Sequence, residues 1–172
     1  MKKRIIIGIS GASGVIYGIE TLKVLTRLNY ETHLILTDAA KINISIETDY
    51  AVEEVTAQAS VVHDNNDLAA VLASGSFSTM GMIVIPCSIK SLSAIANSYG
   101  SNLLVRAADV CLKEKRKLIL VVRETPVHLG HIRLMEKAAE SGAVIMPPVP
   151  AFYSRPETIT DIVLHTVGKC LD

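Results

Sequence analysis

Apolar residues in this chain follow two rhythms that alternate from one end to the other. Short, nearly unbroken runs, Ile5 to Ile9, Glu31 to Thr37, Gly81 to Pro86 and Leu118 to Val122, have the length and β-branched character of buried strands. Between them the spacing widens to three or four residues. Val15 to Leu28 carries Ile16, Ile19, Leu22, Leu25 and Leu28 as one stripe, which predicts a helix lying on a sheet. Leu103 to Arg116 predicts another, and a capping box at Ser154 to Glu157 opens the terminal one. Shorter elements are expected over Ser60 to His63 (strand), Asp67 to Ala73 (helix) and Ala143 to Met146 (strand). Thr37-Asp38 and Ser88 each offer a helix cap, the second to a helix with Ile89, Leu92 and Ile95 on its apolar face. Thr125-Pro126 reads as cap and first turn of a helix that packs Leu129, Ile132, Met135 and Ala139 and stops at Gly142. Strands alternating with helices predict an α/β domain built on a doubly wound, mostly parallel sheet.

Composition narrows the partners. At 172 residues the chain suits one domain over residues 1–172, large enough to bury roughly 70% of its unfolded surface. Seventeen basic and seventeen acidic side chains cancel, so no global field draws the chain to nucleic acid or to an anionic membrane. Hydrophobic residues make up 49%, yet no apolar run reaches the ~18 residues of a membrane span, and Met1-Lys2-Lys3-Arg4 leads straight into a strand. Cys87, Cys111 and Cys170 are odd in number and far apart, with no C-x-x-C pair. They suggest neither a disulfide framework nor a zinc site, and a reducing cytoplasm fits best. So apolar a chain with only 4% aromatic residues also suggests apolar surface buried between subunits.

Candidate chemistry gathers where strands end. Gly8, Gly11 and Gly14 sit three apart after the first strand, in neither the G-x-G-x-x-G nor the G-x-x-x-x-G-K-[ST] spacing. The turn is an anion site at a helix N-terminus or a tight connection with no ligand. Cys87-Ser88-Ile89-Lys90-Ser91 forms a second turn of the same kind, and two anion sockets on one sheet edge suggest a nucleotide. Thr37, at a strand's carboxyl end, faces a ligand or simply caps a helix. Cys87 is either a nucleophile or a small buried hydrophobe, the latter favoured because no histidine is placed to activate it. Arg123-Glu124-Thr125-Pro126 offers a phosphate fork beside a carboxylate that can trade protons, or an ion pair fixing a loop. Arg106 and Lys113, seven residues apart, share a helix face; the basic run Lys113 to Lys117 and Lys169 read as surface charges at helix C-termini. His128 and His131 could share a metal, but no third ligand is evident.

Six motifs in order make the chain recognisable over its whole length. Gly8-Ile-Ser-Gly-Ala-Ser-Gly14 with Tyr17-Gly18, Pro86-Cys-Ser-Ile-Lys-Ser91, Arg106-Ala-Ala-Asp109, Leu112-Lys-Glu-Lys-Arg116, Arg123-Glu-Thr-Pro126 and Pro147-Pro-Val-Pro-Ala-Phe-Tyr153 resemble the flavin prenyltransferase family. Gly75-Ser-Phe-x-Thr79 and the stretch Arg123 to His131 look closest to the accessory subunit of bacterial phenolic-acid decarboxylases, within the flavin-containing Cys-decarboxylase-like fold group. The resemblance implies a three-layer, Rossmann or flavodoxin-like fold. It further implies metal-independent transfer of a dimethylallyl group from dimethylallyl phosphate to N5 and then C6 of reduced FMN, giving prenylated FMN for a partner decarboxylase of aromatic acids.

Carried across residue by residue, the resemblance assigns FMN to Gly11, Ala12, Ser13, Thr37, Ser88, Ile89, Lys90, Ser91 and Arg123. It assigns the prenyl phosphate to Arg106, Lys113, Arg123, Tyr153 and Lys169, in a homo-oligomer, a dodecamer, whose sites are shared between subunits. Glu124 would handle the proton of ring closure, with Ser13 and Glu47 near the reacting flavin edge. The family often has serine at position 37 and arginine at 169; Thr37 keeps the hydroxyl, whereas Lys169 loses the bidentate fork. Two other readings carry distinct chemistry: an FMN-dependent decarboxylase of the Cys-decarboxylase type, whose catalytic histidine and Asn-bearing turn are not found here, and a noncatalytic flavin-carrier subunit.

Overall fold

The structure, a computed structural model, describes residues 3–172; Met1 and Lys2, which the N-terminal reading included, lie outside the described residues. Six parallel strands form one sheet: β1 (Arg4–Ile9), β2 (Glu31–Leu36), β3 (Val61–His63), β4 (Gly81–Cys87), β5 (Lys117–Val122) and β6 (Val144–Ile145), in the order β3-β2-β1-β4-β5-β6. The chain winds outward from β1 to β3, then returns to lay β4 on the free side of β1. The order reverses between β1 and β4, and in open α/β sheets ligands bind in the crevice at such a switch point.

Both faces of the sheet are covered, which is why its strands read as continuous apolar runs. Ile5, Ile7 and Ile9 of β1 point into a core built with α1 (Val15–Arg27), α2 (Asp38–Glu47) and the end of α7 (Ile159–Leu171). Ile6 points the other way, into a core shared with α4 (Ile89–Ala96), α5 (Leu103–Lys113) and α6 (Leu129–Glu140). Gly8 shares that second face, where an added Cβ would come 3.1 Å from both Leu104 and Met82. A short helix, α3 (Val52–Thr56), covers the surface before β3.

The structure departs from the sequence reading at element ends. On α1 the buried stripe is Val15, Ile19, Leu22 and Leu25, while Leu28 lies past the helix and is exposed. Residues 67–73 are turns closing in one 3-10 turn, Val71–Ala73, because Leu72 alone is anchored in the core. α5 ends at Lys113, the first residue of the basic run and three short of the predicted Arg116, and Lys115 takes a positive φ. α6 starts three residues later than Thr125-Pro126 predicts, with His128 as cap accepting from the Gly130 N–H at 3.0 Å. Its packed face is Leu134, Met135 and Ala138; Leu129 and Ile132 face outward. α7 is opened by Thr158 and Asp161, which satisfy each other's backbone N–H groups, and not by Ser154 and Glu157.

Candidate functional site

The β1–α1 and β4–α4 connections lie side by side at the switch point, joined by one side chain. Ser10 is fully buried; its hydroxyl donates to the Pro86 carbonyl at 2.9 Å and accepts from the Ser88 N–H at 2.7 Å. The Arg123 N–H donates to the Cys87 carbonyl at 3.0 Å, which ties the end of β5 to the same place. Sequence reasoning quoted Ser10 within a motif and gave it no role; a serine between two apolar strand residues and a glycine turn was the available signal.

Two anion sockets were expected here, and the structure offers one. The Gly14 and Val15 N–H groups at the start of α1 donate to Glu47 Oε2, at 2.7 and 3.2 Å. A carboxylate of the chain itself therefore complements that helix dipole and fills the place expected for phosphate. The N-terminus of α4 is capped only by the Ser88 hydroxyl, which accepts from the Ser91 N–H at 3.2 Å. Lys90, in its first turn, is exposed and has no carboxylate partner among the described residues.

Two clefts open on this edge, one on each side of the glycine turn. Gly11, Thr37, Ser88, Lys90 and Ser91 line a cleft of about 360 Å³ together with Asn65, Asn66 and Asn102. Ser13, Arg123 and Glu124 line one of about 530 Å³ with Tyr17 and the stiff segment Pro147 to Pro150. Ala12 is buried between them, and Ile89 is half-buried at the first position of α4. The Arg123 guanidinium pairs with no carboxylate among the described residues, and the Glu124 carboxylate accepts from its neighbour's Thr125 N–H at 3.0 Å. Burial of the Tyr17 phenol pushes its pKa up, against a hydrogen bond with Thr166 and the charge of Arg123. Tyr17 thus stands as a neutral phenol in the cleft that Arg123 lines, a placement the motif reading did not assign.

The remaining predicted residues do not converge on these clefts within one chain. Arg106, in the second turn of α5, pairs with Asp109 at 2.9 Å. Lys113, at the other end of α5, pairs with Glu114 at 2.6 Å and lies beside Gly75. Lys169 pairs with Asp172 at 3.2 Å, and Asp172 lines an apolar cleft with the starts of β1, β4 and β5, at the opposite edge of the sheet. Tyr153 is 83% exposed on its extended segment, with its hydroxyl 3.0 Å from His165 Nε2.

Cys87 is fully buried, and burial pushes its thiol up to about 12, the behaviour of a packing residue and not of a nucleophile. The rings of His128 and His131 lie with centroids 3.6 Å apart and tilted by 33°, and no group of three or more metal-ligating side chains occurs among the described residues. No helix among them is long and apolar enough to cross a membrane.

A flavin mononucleotide fits the groups that remain. It needs an anion socket for its phosphate, hydroxyls and backbone groups along its chain, and a walled space for a three-ring system. The open α4 N-terminus with Lys90, the exposed Ser13 hydroxyl, and the cleft between Tyr17 and the proline segment supply these in that order along one edge.

Comparison with known proteins gives the same answer by a separate route. A family model described as Flavoprotein matches residues 1–170. The flavin prenyltransferase UbiX of Thauera aromatica is 58% identical over 169 residues, covering 98% of this chain and 87% of that protein. The crystal structure of AnUbiX (PadA1) in complex with FMN and dimethylallyl pyrophosphate superposes with a TM-score of 0.99 at 48% identity, over 100% of this chain and 92% of that one. A dodecameric FMN-dependent Ubix-like decarboxylase from Escherichia coli O157:H7 superposes with a TM-score of 0.97 at 46% identity, over 98% of this chain and 93% of that one.

Proposed function

The chain belongs to the Flavoprotein family and, within it, to the flavin prenyltransferases, and we propose that it transfers a dimethylallyl group from dimethylallyl phosphate to N5 and C6 of reduced FMN. The observation that carries the reading is Arg123, without a carboxylate partner among the described residues, beside Glu124 on the edge where α4 opens with Lys90, in a chain 58% identical to such an enzyme.

Reduced FMN supplies the nucleophilic N5 and C6 and is the substrate being rebuilt. Ser88, Ser91, Lys90 and the α4 N-terminus hold its phosphate, Gly11, Ala12, Ile89 and Thr37 line its chain, and Ser13 meets the ring edge. Arg123 bridges the flavin and the prenyl phosphate. Arg106, Lys113, Lys169 and Tyr153 grip the leaving phosphate, and cationic donors aimed at the charge that develops there make a metal unnecessary. Because Lys113 and Lys169 sit at the far edge of their own sheet, they serve the site of a neighbouring copy in a homo-oligomer, a dodecamer on the precedent of the E. coli structure. Glu124 handles the protons of ring closure, one added to the double bond of the N5-bound prenyl group and one released from C6 as the C6 bond forms, through a carboxylate that accepts from its neighbour's N–H. Tyr17 and the proline wall keep water from the allyl cation. The product serves a separate decarboxylase of aromatic acids, in a cytoplasm reducing enough to keep three buried thiols free.

Incubating the purified protein with reduced FMN and dimethylallyl phosphate should raise the flavin mass by one five-carbon unit. A flavin recovered unchanged overturns the reading.

A further inference from the structure

One stripe of α2 is laced along the glycine turn. Ala39, Asn43 and Glu47 are spaced i, i+4 and i+8, so they point the same way from the helix. Each meets a different part of the turn, in order. A Cβ on Gly11 would collide with that of Ala39. The Asn43 amide donates to the Ala12 carbonyl at 3.2 Å, and Glu47 takes the Gly14 and Val15 N–H groups. Ser13 is the turn residue this stripe does not hold, and its exposed side chain has no hydrogen-bond partner among the described residues.

The helix behind the stripe is itself rigid. Thr37 caps it by accepting from the Ala40 N–H at 3.1 Å, and Ala40 and Ile44 are fully buried in the core. Thr37 also lines the cleft at the α4 side, whereas Ser13 lines the one at the Arg123 side. A single helix therefore fixes the distance between a residue of one cleft and a residue of the other. The turn needs this, because Gly14 sits at φ 96°, a conformation open to glycine, and a turn with glycines at positions 11 and 14 has many alternatives. If nothing fixed them, the ordering cost would fall on the ligand.

We infer that Asn43 is a positioning residue for flavin binding: by holding the Ala12 carbonyl it sets the turn so that the Ser13 side chain is free to meet the flavin ring. This rests on the flavin reading above and adds a residue to it that touches neither substrate. Ala12 is buried and Asn43 half-buried, so losing the amide removes a partly shielded hydrogen bond from the Ala12 carbonyl. Glu47 alone holds only the far end of the turn.

Asn43→Asp tests the donor with an isosteric side chain that repels the carbonyl, and Asn43→Gln restores an amide on a longer arm. FMN affinity by fluorescence titration, the absorption bands of bound flavin, kcat and KM for dimethylallyl phosphate, and the melting temperature of the flavin-free protein are read together. The Asp variant should bind FMN about tenfold or more weakly, with bands shifted toward free flavin, and keep KM for dimethylallyl phosphate within about twofold. Asn43→Gln should recover at least about half of the lost affinity on a logarithmic scale. Wild-type affinity and bands in the Asp variant overturn the inference, as does a loss shared equally by Asp and Gln that tracks the melting temperature. If the Asp variant does not fold, Asn43→Ala is read against the same thresholds. A wild-type protein that binds FMN without prenylating it overturns the proposed function, while the affinities of the variants still decide the role of Asn43.

Discussion

The β1–α1 and β4–α4 turns are built alike and do opposite things. Both follow a central strand, both open a helix, and Ser10 joins them. Yet the first has its N–H groups occupied by Glu47 from 33 residues away, while the second has a serine cap and a lysine with no carboxylate partner among the described residues. A helix N-terminus is an anion site only if the fold has not already filled it. The glycine-rich turn, which looks more like a phosphate loop, is thus the part that shapes the flavin's surroundings, and the plainer Ser-Ile-Lys-Ser turn is the part that takes charge.

Reversing that assignment should have the largest effect. Ser88→Asp keeps a good cap, so the flavin-free protein should melt at or above the wild-type temperature, but it brings a carboxylate to the phosphate position. FMN affinity should fall about a hundredfold or more, from the lost charge complement and the new repulsion. An unchanged titration curve would mean that the phosphate sits elsewhere.

Crowding the other turn comes next. Gly11→Ala puts a methyl group against Ala39 in a packed contact and should cost about 1–3 kcal/mol in chemical denaturation, with loss of flavin binding. Ala39→Gly in the same chain should return most of that stability, because the two sites touch and their effects are not additive. Additive costs in the double variant would remove the contact from the account.

Much of the fold was legible because its signals were local. The four central strands are buried on both faces and so carry continuous apolar runs, and Thr37 and Ser88 cap where a hydroxyl precedes a helical rhythm. The start of α7 was missed because two capping patterns stand four residues apart, Ser154 with Glu157 and Thr158 with Asp161, and only tertiary placement chooses between them. The stripe expected on α6 failed for a related reason: Leu129 and Ile132 have the right spacing, but the helix turns them away from this chain's own core. The site shows the same division. Arg123, Glu124, Ser88 and Lys90 lie at strand ends in sequence, whereas Glu47 at the α1 N-terminus and Asn43 on Ala12 are contacts across more than 30 residues that no spacing announces.

A milder variant sharpens the comparison from the filled side. Glu47→Gln keeps an oxygen for the Gly14 and Val15 N–H groups but removes the charge, and should lower the melting temperature by about 1–3 °C. FMN affinity should stay within about threefold, since the phosphate binds at the other turn. If α1 were the phosphate site, removing a competing carboxylate would tighten binding about tenfold instead, and the two turns would exchange roles.

The smallest effect reaches the open turn from the edge of the sheet. His33 Nδ1 and His63 Nε2 are 2.9 Å apart in stacked rings, an arrangement that needs at least one neutral imidazole. Burial and the neighbouring His33 push the pKa of His63 down, against the attraction of Asp67, while His33 also bonds Glu31, which is held in turn by Arg4. A base with a depressed native pKa binds fewer protons folded than unfolded, so its contribution to stability is complete above about pH 6.5 and is lost as pH falls through the lower native value. Glu31, lowered chiefly by its hydrogen bond with His33, titrates below that window in both states. After His63 and Asp64 come Asn65, which holds the Leu103 and Leu104 N–H groups of α5, and Asn66, both lining the cleft at the Lys90 side. Acidification from pH 7 to 5.5 should therefore lower the melting temperature by about 1–2 °C more in the wild type than in His63→Gln, a small figure because the His63 ring is partly solvated. FMN affinity should fall with it in the wild type only; equal pH profiles for the two proteins would sever the edge of the sheet from the open turn.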